Sequence, residues 1–152
     1  MPETFDPAPM RGAYAALLDV VPSPGPPPPG EWGAGRILAH VSLVTAATVA
    51  AVNAVGSGAI STYDNRLAQD AWTLDRIAGL AGGLDGLRGR IRAQGEALGL
   101  LAAALSPAEL ATPVPALLLS NGACLVDAPL TVADILAGLT DVELPGHAKQ
   151  LL

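Results

Sequence analysis

The chain has 152 residues, enough for one domain with a proper core, and its 51% hydrophobic and 14% charged composition excludes disorder over most of its length. A net charge of −6, a single lysine (Lys149) and seven scattered arginines, of which only "LRGRIR" forms a modest cluster, exclude nucleic-acid binding, which needs a basic footprint to neutralise phosphates. Lone Cys124 excludes an internal disulfide framework, and "MPETFDPAPM" offers neither the basic nor the apolar region of a signal peptide, so the expected location is cytoplasmic.

The first predicted element is a short helix in "MRGAYAALLDVV", where Met10, Tyr14, Leu17, Leu18 and Val21 recur at helical spacing. "SPGPPPPGEW" ends it. Pro26 to Pro29 cannot lie inside a helix and favour extended polyproline backbone; the run reads as a stiff loop between helices, with an SH3-type ligand as the alternative. From Trp32 to Val55 the residues Ile37, Val41, Val44, Thr48, Ala51 and Val55 repeat in steps of three and four, and the alanines among them allow close helix approach. No apolar run looks both long enough and bare enough to cross a membrane. The best, "ILAHVSLVTAATVAAVNAV", carries His40, Asn53 and several hydroxyls and reads as a buried helix.

"GSGAISTYDNR" breaks this pattern, and "STYDNRLAQD" gathers Tyr63, Asp64, Asn65, Arg66 and Asp70 at the start of the next helix. Asp64 or Asn65 as its N-cap is the plain reading; a place at the mouth of a site is the functional one. Ile77, Leu80, Leu84, Leu87, Ile91, Gln94, Leu98, Leu101 and Leu105 then form a heptad-like stripe, predicted to be one long inward-facing helix. Its glycines each cost up to ~1 kcal/mol against alanine, so packing must hold it, and Leu84→Ala is expected to cost roughly 2–5 kcal/mol. Trp32 and Trp72 are expected to anchor the core. "SPAE" is a capped helix start, "PVPALLLSNGACLVDAP" a small hairpin or irregular loop around Asn121-Gly122, with Cys124 as a small buried hydrophobe. Last, "TVADILAGLTDVELPGHAKQLL" opens on a capping box of Thr131 and Asp134 and buries Val132, Ile135, Leu136 and Leu139, with Pro145 kinking or restarting the helix. The sum is an all-α fold: a four-helix bundle over residues 1–152 with long connections and a small hairpin before the last helix.

Only two histidines occur, His40 and His147, and Glu143 stands four residues before the second, on the same helical face. Two imidazoles and a carboxylate suit a divalent transition metal and leave positions open for water or substrate. Spacing alone equally allows a capped helix, with Glu143 the partner of Thr140 in "TDVE" and His147 on the surface.

"EWGAGRILAHV", with Trp32 eight residues before His40, and "ELPGHAKQL" resemble the second-helix and last-helix motifs of the DinB-like superfamily. They are most similar to the metal-binding domain of mycothiol-dependent maleylpyruvate isomerase. The order of the parts agrees along nearly the whole chain. The resemblance implies a divalent metal, zinc or nickel, on His40, Glu143 and His147. It also implies a transferase or isomerase activity that uses a low-molecular-weight thiol (mycothiol, bacillithiol or glutathione) on a small-molecule substrate, in a homodimer without nucleic-acid or membrane partners. Trp32, Arg36, Tyr63 and Arg66 are the candidates for the mouth of such a site. The chain departs from the family pattern at Gly35, where arginine is usual and Arg36 comes one later, at Gln150, where aspartate is common, and at Pro145-Gly146 between the ligands. There is no second domain of the isomerase kind. The alternative is a non-catalytic bundle that serves as a binding or interaction module.

Overall fold

The computed structural model describes residues 3–23 and 25–152, so Pro24 of the proline-rich loop and the first two residues of "MPETFDPAPM" lie outside them. Helix α1 (Ala8–Asp19) buries Met10, Tyr14 and Leu17, one face at steps of four and three. It stops before Val21, which is 83% exposed and not the core residue its spacing suggested. The proline run follows as a non-helical connection and carries the chain into α2 (Ala34–Gly56).

Helix α2 is the centre of the molecule. It buries all six residues of its predicted stripe and, beside them, Leu38, His40, Ser42, Thr45 and Val52. The hydroxyls pay for their burial with hydrogen bonds: Tyr14 with Thr45 at 2.7 Å, Thr48 to the Val44 carbonyl at 2.8 Å and Ser42 to Gln94 at 2.9 Å. By length and composition α2 does qualify as a membrane span, since its best window has a mean hydropathy of 1.7; 61% of that window is buried inside the structure, as the helix interior of a packed core also would be.

The predicted single helix over Ile77–Leu105 is two. Helix α3 (Ala71–Ala81) ends on Gly82 and Gly83, with φ of +85° and +93°, and α4 (Leu84–Ala103) starts afresh. Only glycine takes two successive residues of this kind without strain, so the break is written in the sequence as a Gly-Gly pair. The change of direction splits the stripe: Leu87, Ile91 and Leu98 are fully buried, while Leu80 is 67% and Leu84 37% exposed. Helix α4 packs against α2, and α1 lies against both α4 and the C-terminal helix. A Cβ at Gly95 would stand 3.1 Å from the Tyr14 ring, so this glycine sets how closely α1 and α4 approach. Asp70, not Asp64 or Asn65, caps α3 by accepting from the Thr73 amide. Trp72 is 69% exposed with the Arg76 guanidinium over its ring, which removes it from the core anchors.

After α5 (Pro107–Leu110), whose Ser106–Glu109 capping box forms as expected, come five short strands counted with one upstream. They are β1 (Tyr63–Asp64), β2 (Pro113–Val114), β3 (Ala116–Ser120), β4 (Ala123–Asp127) and β5 (Leu130–Thr131). β3 and β4 are the hairpin, closed by Asn121 (φ 51°) and Gly122 (φ 77°), the positive pair a tight two-residue turn requires. The strand content exceeds that hairpin: β1 adds in parallel to β3, and β2 pairs with β5. The structure is therefore mostly helical with two small sheets, and only roughly all-α. Cys124, on the outer strand β4, is exposed and not buried.

The last helical run is α6 (Val132–Gly138), a π-helical turn (Leu139–Glu143) and α7 (Leu144–Gln150). The Thr131–Asp134 capping box opens it. Pro145 has no amide hydrogen, and its ring opposes the carbonyl four residues back; the wider turn just before it carries the chain past without ending the helix.

Candidate metal centre

Three elements meet at the ligand trio. His40 comes from the second turn of α2, Glu143 from the end of the π turn and His147 from α7. The ring centroids of His40 and His147 lie 4.6 Å apart, although the residues are separated by over a hundred positions. Glu143 Oε2 is 3.0 Å from His147 Nε2, so the four-residue spacing survives Pro145-Gly146. One donor atom from each of the three residues falls within 4.8 Å of the others. Ligands about 2.1 Å from a shared ion, at a tetrahedral angle, stand roughly 3.4 Å apart, so a contraction of up to about 1.4 Å brings all three into range.

The far side of each imidazole is held. His40 Nδ1–H donates to the Ala68 carbonyl at 2.6 Å, in the 3₁₀ turn Leu67–Gln69 just before α3. That bond selects the tautomer whose Nε2 carries the lone pair. His147 Nδ1–H donates to Gln150 Oε1 at 2.6 Å, one turn along α7. Gln150 thus occupies the orienting position where the resembled family commonly has aspartate. Trp32 closes the site from the α1–α2 loop, its ring 5.4 Å from that of His40.

The electrostatics of the trio are graded. Burial pushes His40 below the ordinary histidine range, against the opposing bond from Ala68, so its imidazole is neutral near pH 7. Burial acts the same way on His147, but the hydrogen bonds to Glu143 and Gln150 outweigh it and lift the group above its usual value. The same Glu143–His147 bond holds the Glu143 carboxyl below its usual range. His40 is buried, the His147 side chain is 16% exposed and that of Glu143 47%, so the trio runs from core to rim.

That rim opens on a cleft of about 870 Å³. Its walls are the Trp32 loop, the hairpin β3–β4 and the α6–α7 run, with His40, Glu143 and His147 all lining it. Of the four candidates for the mouth, Trp32 and Tyr63 line the cleft. Tyr63 is buried and bonded to Thr48 at 3.2 Å. Arg36 and Arg66 do not line it: Arg36 is held by Asp75 at 2.8 Å and Arg66 by Asp64 at 2.7 Å. Glu143 does not cap Thr140, which lies within the helical run with its hydroxyl buried and without a hydrogen-bond partner. Sequence reasoning missed the Ala68 carbonyl, which no side chain announces, and the hairpin as a wall of the site. Gln150 stood in the sequence only as a departure from the family pattern; its bond to His147 comes from the structure. Comparison of the chain with models of protein families, with curated proteins and with solved structures finds no match.

Proposed function

We propose that the chain holds one divalent metal, zinc or nickel, on His40 Nε2, His147 Nε2 and a Glu143 carboxylate oxygen. The observation that carries this reading is the convergence of the three donors on one point from three elements, beside a cleft. Two neutral nitrogens and one carboxylate suit such an ion, and three protein ligands leave a position free. A divalent metal there supplies Lewis acidity, holding a bound water or thiol as its anion near neutral pH. The protein's own part is to fix the rings through Ala68 and Gln150, to shield His40 with Trp32 and to present the open side to the cleft.

Within this reading the helical part is a DinB-like four-helix bundle. Its members are α1, α2, the broken pair α3–α4 and the run α6–α7. The activity is a thiol-dependent transfer or isomerisation of mycothiol type on a small molecule, in a cytoplasmic homodimer. What supports it is the resemblance of "EWGAGRILAHV" and "ELPGHAKQL" to that family's second-helix and last-helix motifs. A second reading has its own observation: the Glu143–His147 pair is complete without a metal, bonded at 3.0 Å and backed by Gln150. A non-catalytic bundle would keep that pair as a structural contact.

Metal analysis separates the two. Protein purified without chelators, or titrated with zinc or nickel in a calorimeter, is expected to take one equivalent, and His40→Ala to take none. Absence of binding by the parent chain, or equal binding by His40→Ala, would leave the non-catalytic bundle.

A further inference from the structure

The cleft beside the trio is sided. Leu125 on β4, Val142 on the π turn and Leu152 at the C-terminus are 68%, 67% and 75% exposed, and all three face this one cleft. Leu118 and Leu119 of β3 continue the wall, partly buried. Solvated leucines and valine arranged around a common hollow are unfavourable unless something apolar covers them. The acidic residues of the lining are Glu31, Asp134 and Glu143; its basic groups are Lys149 and the two histidines of the trio, and Asn65, Gln69, Ser120 and Asn121 add uncharged polar groups. Among the described residues no arginine lines it, and the two nearest by sequence to the site are already paired to aspartates.

We infer that the cleft takes a ligand with one metal-binding head and an apolar body, laid against the hairpin and Val142, and disfavours a second anionic group. This rests on the metal reading and adds the class of molecule. A single anionic or lone-pair head is satisfied at the metal's open position. A second carboxylate laid against Leu125 and Val142 would lose hydration to leucines and valine, in a lining where Glu31 and Asp134 outnumber the one lysine, Lys149. An apolar chain instead gains about fourfold in affinity for each methylene fully buried, and roughly twofold for each one half covered.

The test uses zinc-loaded protein and straight-chain hydroxamic acids of two, four and six carbons, plus the six-carbon compound bearing a terminal carboxylate. Binding is followed by calorimetry, with zinc affinity measured on the same preparation. Affinity is expected to rise about tenfold or more from two to six carbons and to fall back when the carboxylate is added. Leu125→Ser, a change at an exposed position on the outer strand, is expected to flatten the series. Zinc that binds with a flat series in the parent chain, or with the carboxylate-bearing compound bound as well as its plain counterpart, overturns this inference alone. A length dependence that Leu125→Ser leaves intact also overturns it, because the apolar body would then lie elsewhere. Failure of zinc to bind overturns the metal reading and this inference with it.

Discussion

At the scale of single residues, the three ligands are prepared to different degrees. His40 is neutral because it is buried, and Glu143 is ionised because His147 bonds to it. His147 alone of the three has its pKa raised, with an acceptor facing each ring nitrogen, so it holds to higher pH than an ordinary histidine a proton that a metal must displace. The sign follows directly. Zinc affinity falls as pH drops through the folded His147 pKa, which lies above the ordinary histidine value near 6.5. Well below that pKa, beyond about one pH unit, the loss approaches about tenfold per pH unit, for one proton. Calorimetry in buffers of different ionisation enthalpy measures it; release near two protons would show that His40 is also charged. Gln150 offers a second check. Gln150→Ala removes the acceptor of His147 Nδ1–H, and the loss of such an orienting partner typically weakens metal affinity by about 10–100-fold. Competition against a coloured chelator reads this out, and unchanged affinity would remove Gln150 from the site. Both histidines and Glu143 were visible in the sequence as types and spacings, while Gln150 stood there as a departure from the family pattern and not as a partner of His147. The Ala68 carbonyl was not, because a main-chain acceptor has no residue signature, and neither was the pairing of Arg36 and Arg66 with aspartates, which depends on tertiary placement.

At the scale of elements, periodicity identified faces well and continuity poorly. The α2 stripe faces inward throughout, since nothing in Ala34–Gly56 interrupts it. The stripe after it ran unbroken through Gly82-Gly83 on paper, because counting apolar positions ignores the conformation that a Gly-Gly pair permits. With the break in place, the energetic weight moves from Leu84 to its neighbours one and two turns on. Leu87→Ala or Ile91→Ala is expected to cost about 2–5 kcal/mol, as for other fully buried leucines and isoleucines, and Leu84→Ala under about 1 kcal/mol. Urea titration of the three variants checks the order; equal losses at Leu84 and Leu87 would restore the single helix. The turn chemistry was more dependable than the stripe. The capping boxes at Ser106 and Thr131 and the Asn-Gly hairpin form where their residues stand, because each needs only a few local hydrogen bonds, whereas the Thr140–Glu143 box does not form and the α3 cap falls on Asp70. Pro145 shows the opposite limit: its spacing predicts a kink or a restart of the helix, and the structure has instead a π turn just before it, in a run whose α7 packs against α1.

At the scale of the whole molecule, two consequences follow from how the elements are assembled. Apolar side chains that the core does not use are left outside, among them Trp72 and Leu80 on α3. They support the proposal of a homodimer through helix faces, for which sedimentation at micromolar concentration is expected to give twice the chain mass, 15.2 kDa; only monomer at that concentration would contradict it. The second consequence is the site itself. α2 supplies one ligand from the core, and the C-terminal run brings two more across it, so the centre exists only when the chain is folded. A crystal of the protein grown with zinc, measured at the zinc absorption edge, tests this most directly. The account predicts one anomalous peak within about 2.0–2.2 Å of His40 Nε2, His147 Nε2 and a Glu143 oxygen, with its remaining side toward the cleft. A peak that leaves His40 out, or none between the two rings, would contradict it.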